Sequence, residues 1–469
     1  MPIFPNKPKQ TVPLDVIGGT KFSRYEMMTT EETMNLMVTG QDSGVPALVP
    51  FSGYEEVLDF GRGEARGIFV STRLNELVVV MGSAVYVVTD FLGTRRIGTL
   101  ASTSGPVHIS ENFNSQIAIE DGNKIYIYDY SSSIFTPISV DFVPVFIDFQ
   151  DSYFIATDDS GSWHLSKTND GLEWPPLDKQ TLQTKADILQ AAVVLDRQLW
   201  IMGEKAAEIW YDQGLATFPY VRENSLAIDY GALSRETIAE GFGMLVWLAK
   251  NEKSQPNIVF TTGGKPQHIS TEGLDFILSE LENPEDSVGF LFQQDGHIFY
   301  QITFDSDNFS IVYDFNTKMF YTVTDECRNR HIAKQVVLFD NTLYFISFID
   351  SKIYKMSTDI TTYDGKEIPR IRVTPHYRSP NSDIFIVNRL NVQMETGNNA
   401  GPSKVELSIS KDAGVTYGNV VTEELKRQGL RRGQVDFWRM GRADVMTFQL
   451  RFYSKERFVV TNGTMDVYS

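Results

Sequence analysis

The 469-residue sequence is short of the residues that build disulfide scaffolds, metal centres and membrane spans. It has one cysteine, Cys327, so no disulfide can close within the chain, which fits folding in a reducing cytosol. A lone thiol of this kind reads as a small buried hydrophobe. Six histidines, His108, His164, His268, His297, His331 and His376, are scattered singly, with no two spaced to share a metal. No run approaches the ~20 apolar residues of a membrane span. The opening MPIFPNKPKQTVPLDV is broken by prolines and has no apolar stretch of the length a secretory signal needs, so export by that route is not expected.

Basic residues are also in deficit. Lys and Arg number 42 against 60 Asp and Glu, a net charge of -18. The deficit is uneven: from residue 366 onward there are 16 basic against 11 acidic residues, leaving 26 against 49 before it. The chain is an acidic body with a mildly basic end. An acidic body repels phosphates and is a poor sequence-reader of nucleic acid. Like charge on the walls of a channel suits DNA that must pass without sticking, and it equally suits solubility alone.

What the sequence does contain is a loose sevenfold repeat of one hairpin. Short apolar strands begin near Leu77, Gln116, Ser152, Gln198, Met244, His297 and Thr342, at intervals that fit blades of roughly 40 to 50 residues. A second strand follows each through a polar turn, and most pair an aliphatic residue with an aromatic one: Val85-Tyr86, Ile125-Tyr126, Ile209-Trp210, Val312-Tyr313 and Ile353-Tyr354. Ile258-Val259-Phe260 is a near match, and Trp163-His164-Leu165 fits poorly. Hairpins that cannot bury a face alone do so by stacking on their neighbours. The pattern predicts an all-β chain built on a β-propeller. Seven repeats are visible and six to eight blades are open, since the segment 45–57 or part of the C-terminal region could complete an eighth; seven unrelated hairpins in a sandwich is the competing reading.

The chain divides into three: an N-terminal arm over 1–53, the propeller over 54–360 and a mildly basic C-terminal β domain, sandwich-like, over 361–469. The arm is interrupted by Pro2, Pro5, Pro8 and Pro13 and is expected to lie on a neighbouring subunit or to be disordered, with a short helix over 30–37. The other candidate helix covers 274–281.

Catalytic signals are weak. Ser410-Lys411-Asp412-Ala413-Gly414-Val415-Thr416-Tyr417 resembles the Asp-box of sialidases and other propellers, and 168–174 is a degenerate relative. In such a box the Asp satisfies turn N–H groups, Gly takes an unusual backbone angle and the aromatic covers the strand pair, so it is a folding device. Thr261-Thr262-Gly263-Gly264-Lys265 lacks the phosphate-loop pattern and ends in Pro266, so it is a turn. Asp305-Ser306-Asp307-Asn308 lacks the glycine and distal glutamate of a calcium loop. No cofactor, metal site or catalytic residue is assigned. A carbohydrate-binding or glycosidase-like propeller is the alternative function, resting on the Asp-box and on Trp163, Trp174, Trp200 and Trp210, which core packing also explains.

The order of further segments resembles the packaged-DNA stabilisation proteins that form the tail nozzle of short-tailed bacteriophages. These are Gly161-Ser162-Trp163-His164-Leu165-Ser166, Asn169-Asp170-Gly171, Trp174, Leu199-Trp200-Ile201-Met202-Gly203, Glu208-Ile209-Trp210-Tyr211, Phe218-Pro219-Tyr220 and Val246-Trp247-Leu248, then Asp412 to Gly418 and Val435-Asp436-Phe437-Trp438-Arg439-Met440-Gly441-Arg442. The resemblance implies a non-enzymatic virion protein, a ring of six copies beneath the portal and its adaptor. Such a ring extends the DNA channel, retains packaged double-stranded DNA without reading its sequence and conducts it at ejection. It also implies a needle or tip and tailspikes or fibres as neighbours, and assembly in the host bacterial cytoplasm. A closed ring needs two different patches that meet head to tail. Lys426, Arg427, Arg431, Arg432, Arg439 and Arg442 are the candidate interface residues, expected to meet acidic surface on an adjacent subunit or tail protein.

Overall fold

The computed structural model describes residues 10–468 apart from 26, 90–91, 184–186, 216, 251–254, 380–382, 397–402 and 426–431. Seven antiparallel sheets follow one another along the chain. Blade 1 is Ala65–Ser71, Glu76–Met81, Ala84–Val88 and Thr94–Thr99; blades 2 to 6 span 108–138, 144–181, 189–222, 231–268 and 287–322. Blade 7 takes Ala333–Phe339, Thr342–Ser347 and Lys352–Ser357 from the end of the repeat region and Gly53–Asp59 from its beginning. The strand from the 45–57 region therefore completes the seventh blade and adds no eighth. It also locks the ring, because the last repeat closes on residues that precede the first. The first strand of each blade packs on that of the next, and the circle closes from Ala333–Phe339 back to Ala65–Ser71.

The strands legible in the sequence are the second and third of every blade. They are sandwiched between neighbouring blades, so Gln116–Glu120 and Ile125–Asp129 are buried along nearly their whole length. First and fourth strands face the central channel or the outside and carry mixed residues, as in Thr94–Thr99. Separate apolar clusters fill each gap between blades, for example Val78, Val80, Ile117 and Ile119 between blades 1 and 2, and Trp200, Ile209, Leu245 and Trp247 between blades 4 and 5.

The N-terminal segment, expected as an arm on a neighbour or as disorder, folds onto its own chain. Gln10–Pro13 and Ala47–Pro50 each pair with the C-terminal strand Phe458–Tyr468, and Leu36–Thr39 pairs with Ala47–Pro50. The helix expected over 30–37 is absent: Glu32–Met34 and Leu36–Thr39 are strands in opposite sheets of a sandwich. Asn35 between them has φ 54°, and its side chain is held by Thr324 and the Pro369 carbonyl, so the chain turns a corner where a helix would continue. Burial of Met34, Leu36, Met37 and Val38 overrides their helical propensity.

One sheet of the sandwich is Leu36–Thr39, Ala47–Pro50, Phe458–Tyr468, Phe385–Thr396 and Arg432–Ala443. The other runs on from the fourth strand of blade 6 through Glu32–Met34 to Arg370–Val373, Val445–Tyr453, Lys404–Ser410 and Val421–Glu424. Its core, with Leu390, Leu407, Phe437 and Phe448, is continuous with the packing of Phe292 and Phe299 of blade 6 against Phe345 and Tyr354 of blade 7. The helix Glu272–Glu280 forms near its expected place, capped by the Thr271 side chain. Cys327, expected in the core, is exposed in the loop whose turn is held by Asp325.

Candidate functional site

The central channel of a propeller is the usual place for a ligand, and here a turn lies across its mouth. The 3-10 helix Arg235–Thr237 belongs to blade 5, between its strand segments Gly231–Ala232 and Ala239–Gly241. Arg235 Nη1 donates to the Val145 carbonyl of blade 3 at 2.8 Å, Ser234 to the Ser287 carbonyl of blade 6 at 2.9 Å, and Tyr300 to the Thr237 carbonyl at 2.8 Å. Glu236 meets His108 of blade 2 at 3.2 Å, and the other ring nitrogen of His108 meets Glu120 at 2.9 Å. Burial opposes a charge on His108, but Glu236 and Glu120 outweigh it and raise its pKa to about 9, so the strut is an ion pair at neutral pH. On the first strand of blade 3 burial pushes Asp148 up to about 6, against the N–H groups of Val194 and Phe149 that favour its charge. These groups are spent on fastening blades together.

The remaining histidines are also structural. His164 binds Asp158, His297 binds Asp314, His268 binds Asp275, His376 meets Thr447, and burial lowers His331 to about 4. Among the described residues no three His, Cys, Asp or Glu side chains are grouped to hold a metal. In the turn at Asp305 the carboxylates are engaged by protein: Asp305 pairs with Arg330, and Asp307 accepts from the Glu282 and Asn283 amides.

The Asp-box at 410–417 is a turn. Asp412 accepts from Ser410, from the Thr416 amide and from its hydroxyl, which hold its carboxyl down at about 2. Ala413 and Gly414 have φ 58° and 88°, a β-carbon on Gly414 would strike Thr30, and Tyr417 packs on the Met34, Ile371 and Val373 cluster. The degenerate box at 168–174 ties blade 3 to blade 2, where Gln116 binds Asp170 and the Gly171 amide. Trp163, Trp200, Trp210 and Trp247 are in the core, and Trp174 covers Phe142. The four core rings offer no open face to a sugar, and Trp174 is partly buried.

Of the six basic residues expected at an interface, Lys426, Arg427 and Arg431 lie outside the described residues, and of Arg432 only the backbone is described, at the start of its strand. Arg439 and Arg442 are exposed on that strand, Arg432–Ala443, which is the edge of its sheet. Arg439 has φ 64°, and the register with Phe385–Thr396 slips beside it, between Val387 and Arg389.

Residues 10–361 match the family model for the bacteriophage P22 Gp10 β-propeller, and residues 369–468 match that for the P22 Gp10 β-sandwich. The chain belongs to the bacteriophage P22 Gp10 family. Membership makes it a structural component of the virion, a phage tail protein of the nozzle and DNA-stabilisation family. No curated protein matches this Gp10-family chain in sequence.

Solved structures similar to the Gp10-family chain are remote. A catalytically inactive virginiamycin B lyase from Staphylococcus aureus shares 14% identity over 65% of this chain and 99% of its own, with a TM-score of 0.46. The WD40 β-propeller domain of Doa1 shares 11% over 67% and 99%, at 0.43. The extracellular domain of BT4673 from B. thetaiotaomicron shares 9% over 65% of this chain, which covers 40% of that protein, at 0.45. No activity passes from them to this chain at such distances.

Sequence reasoning missed two features of the Gp10-family site. The Arg235–Thr237 strut has no local signature, because His108 and Glu236 stand 128 positions apart. Trp438 had a usable signal: it is flanked by Asp436 and Arg439 in a strand whose apolar residues Val435 and Phe437 otherwise alternate inward.

Proposed function

We propose that this Gp10-family chain forms the nozzle of a short phage tail. Six copies make a ring beneath the portal and adaptor, and the lumen they share extends the DNA channel, retains the packaged genome and conducts it at ejection. The observation that carries this reading is the closed propeller axis. With Arg235–Thr237 hydrogen-bonded across the mouth to blades 3 and 6 and ion-paired to blade 2, one subunit offers no passage for a duplex, so a channel has to run between copies. The acidic body supports it, since walls of like charge do not bind DNA that must slide past them. A needle or tip and tailspikes or fibres are the expected neighbours, and assembly takes place in the host cytoplasm.

Particles produced without the gene test the reading. Heads should fill with DNA and then lose it, with retention and infectivity restored by supplying the protein in trans. Heads that stay full and infectious in its absence overturn the reading.

A further inference from the structure

We propose that the Trp438 edge of the sandwich is the surface by which one copy grips the next, and that its receptor is the acidic cavity between blades 6 and 7 of a second copy. This rests on the ring reading above and adds to it the two patches that meet.

The edge is built to present side chains outward. Arg439, at φ 64°, and Gly441, at φ 94°, bend the edge strand Arg432–Ala443 so that the consecutive residues Trp438 and Arg439 both face solvent. An ordinary strand would send one of them inward. A non-glycine residue held in the left-handed region costs about 1 kcal/mol or more, and such outliers gather at functional positions. Trp438 is 56% exposed, with the Arg389 guanidinium 5.4 Å from its ring centroid and Ile384 and Ile386 exposed nearby on the neighbouring segment. Arg442 stands opposite Ile386. Among the described residues no carboxylate pairs with Arg439 or Arg442. An exposed tryptophan beside arginines and exposed isoleucines has the composition of an interface hot spot.

The receptor has the opposite charge. The cavity between blades 6 and 7 measures about 380 Å³, and the almost wholly buried rings of Tyr54, Tyr354 and Tyr363 contribute to its lining. Arg330 in it is neutralised by Asp305, and Lys366 by Glu326. Asp325 and Asp364 make no ion pair among the described residues, although Asp325 accepts from the Cys327 and Asn329 amides and Asp364 from the Glu56 amide. Two guanidiniums without an ion pair on one patch thus match a cavity in which the carboxylates of Asp305, Asp325, Glu326 and Asp364 outnumber the cations of Arg330 and Lys366, and whose volume admits an exposed indole. The patches are different surfaces of one molecule, so the contact is heterologous and repeats around a ring. Charge pairing of this kind sets partner choice and association rate, and salt weakens it.

Sedimentation of the purified full-length chain, alone and with the portal–adaptor complex at low and high salt, tests the proposal. Trp438→Ala, and separately Arg439→Glu with Arg442→Glu, should weaken self-association at least tenfold with unchanged thermal unfolding. Arg439→Gly, which fits the left-handed backbone, should weaken it too. Asp364→Lys should weaken it, and combined with Arg439→Glu in one chain should recover most of the loss. Wild-type association by Trp438→Ala overturns the edge while leaving the ring reading intact. Loss without recovery in the charge swap overturns the receptor. A wild-type chain that stays a monomer even on the adaptor overturns both the proposal and the ring.

Discussion

Arg372 Nη2 donates to Glu31 Oε1 at 2.6 Å, and both side chains are almost wholly removed from solvent. The pair fastens the N-terminal segment to the strand Arg370–Val373, and Arg372 also reaches Thr33 Oγ1 and the carbonyls of Asp15 and Gly19. The same guanidinium fills the space beside Gly18, where a β-carbon would lie 2.7 Å from its Nη2. Removing one partner leaves a buried charge uncompensated. Glu31→Ala is therefore expected to cost about 3–5 kcal/mol in chemical denaturation, whereas Lys21→Ala, which removes only an exposed cation from the same carboxylate, should cost less than about 1 kcal/mol.

Ring closure by Gly53–Asp59 gives a second prediction. A β-carbon on Gly53 would collide with the carbonyls of Ile360 and Thr362. Gly53→Val should destabilise the chain by about 4 kcal/mol or more. A chain starting at residue 60 should aggregate, because the strand Lys352–Ser357 then presents an unpaired edge. Light scattering during refolding checks the second outcome and urea titration the first.

Two histidines bias stability in opposite directions with pH. His108 is raised in the fold, so its contribution is complete below an unfolded pKa of ~6.5 and is lost as pH climbs through about 9. His331 is depressed to about 4 by burial and by Arg330, so its contribution is complete above ~6.5 and is lost as pH falls toward 4. Each limb is worth about 3 kcal/mol. Stability measured from pH 4 to 10 should lose its alkaline slope in His108→Gln and its acid slope in His331→Gln. An unchanged alkaline limb in His108→Gln contradicts the ion-paired strut.

Tryptophan fluorescence reports the surface directly. Trp163, Trp200 and Trp247 have no exposed area and Trp210 has 3%, against 56% for Trp438. With Trp174 only partly buried, acrylamide should quench Trp438 most strongly, and Trp438→Phe should remove that most accessible population and leave the weaker quenching of Trp174.

Much of the propeller was legible because second and third strands, squeezed between blades, must be apolar along their length; Glu76–Met81 and Ala84–Val88 show this plainly. The closing strand Gly53–Asp59 was legible only as a possible eighth-blade segment and not as the close of the seventh, since its partner lies some three hundred residues away and its own pattern is half exposed. The segment around Asn35 misled for a related reason. Its apolar spacing suits a helix face, and only contacts with Thr324, Pro369 and Tyr363 reveal a corner between sheets. At the candidate interface, residue type pointed to Arg439 and Arg442. The bulge that aims Trp438 outward with them is a matter of backbone angle, which an ordinary Arg-Met-Gly-Arg sequence does not announce.

The most direct measurement is the native mass of the protein with and without the portal–adaptor complex from the same genome. The nozzle account predicts a ring of six copies on the adaptor. A chain that stays monomeric in its presence, or that ignores the adaptor and binds or cleaves a glycan, would contradict it.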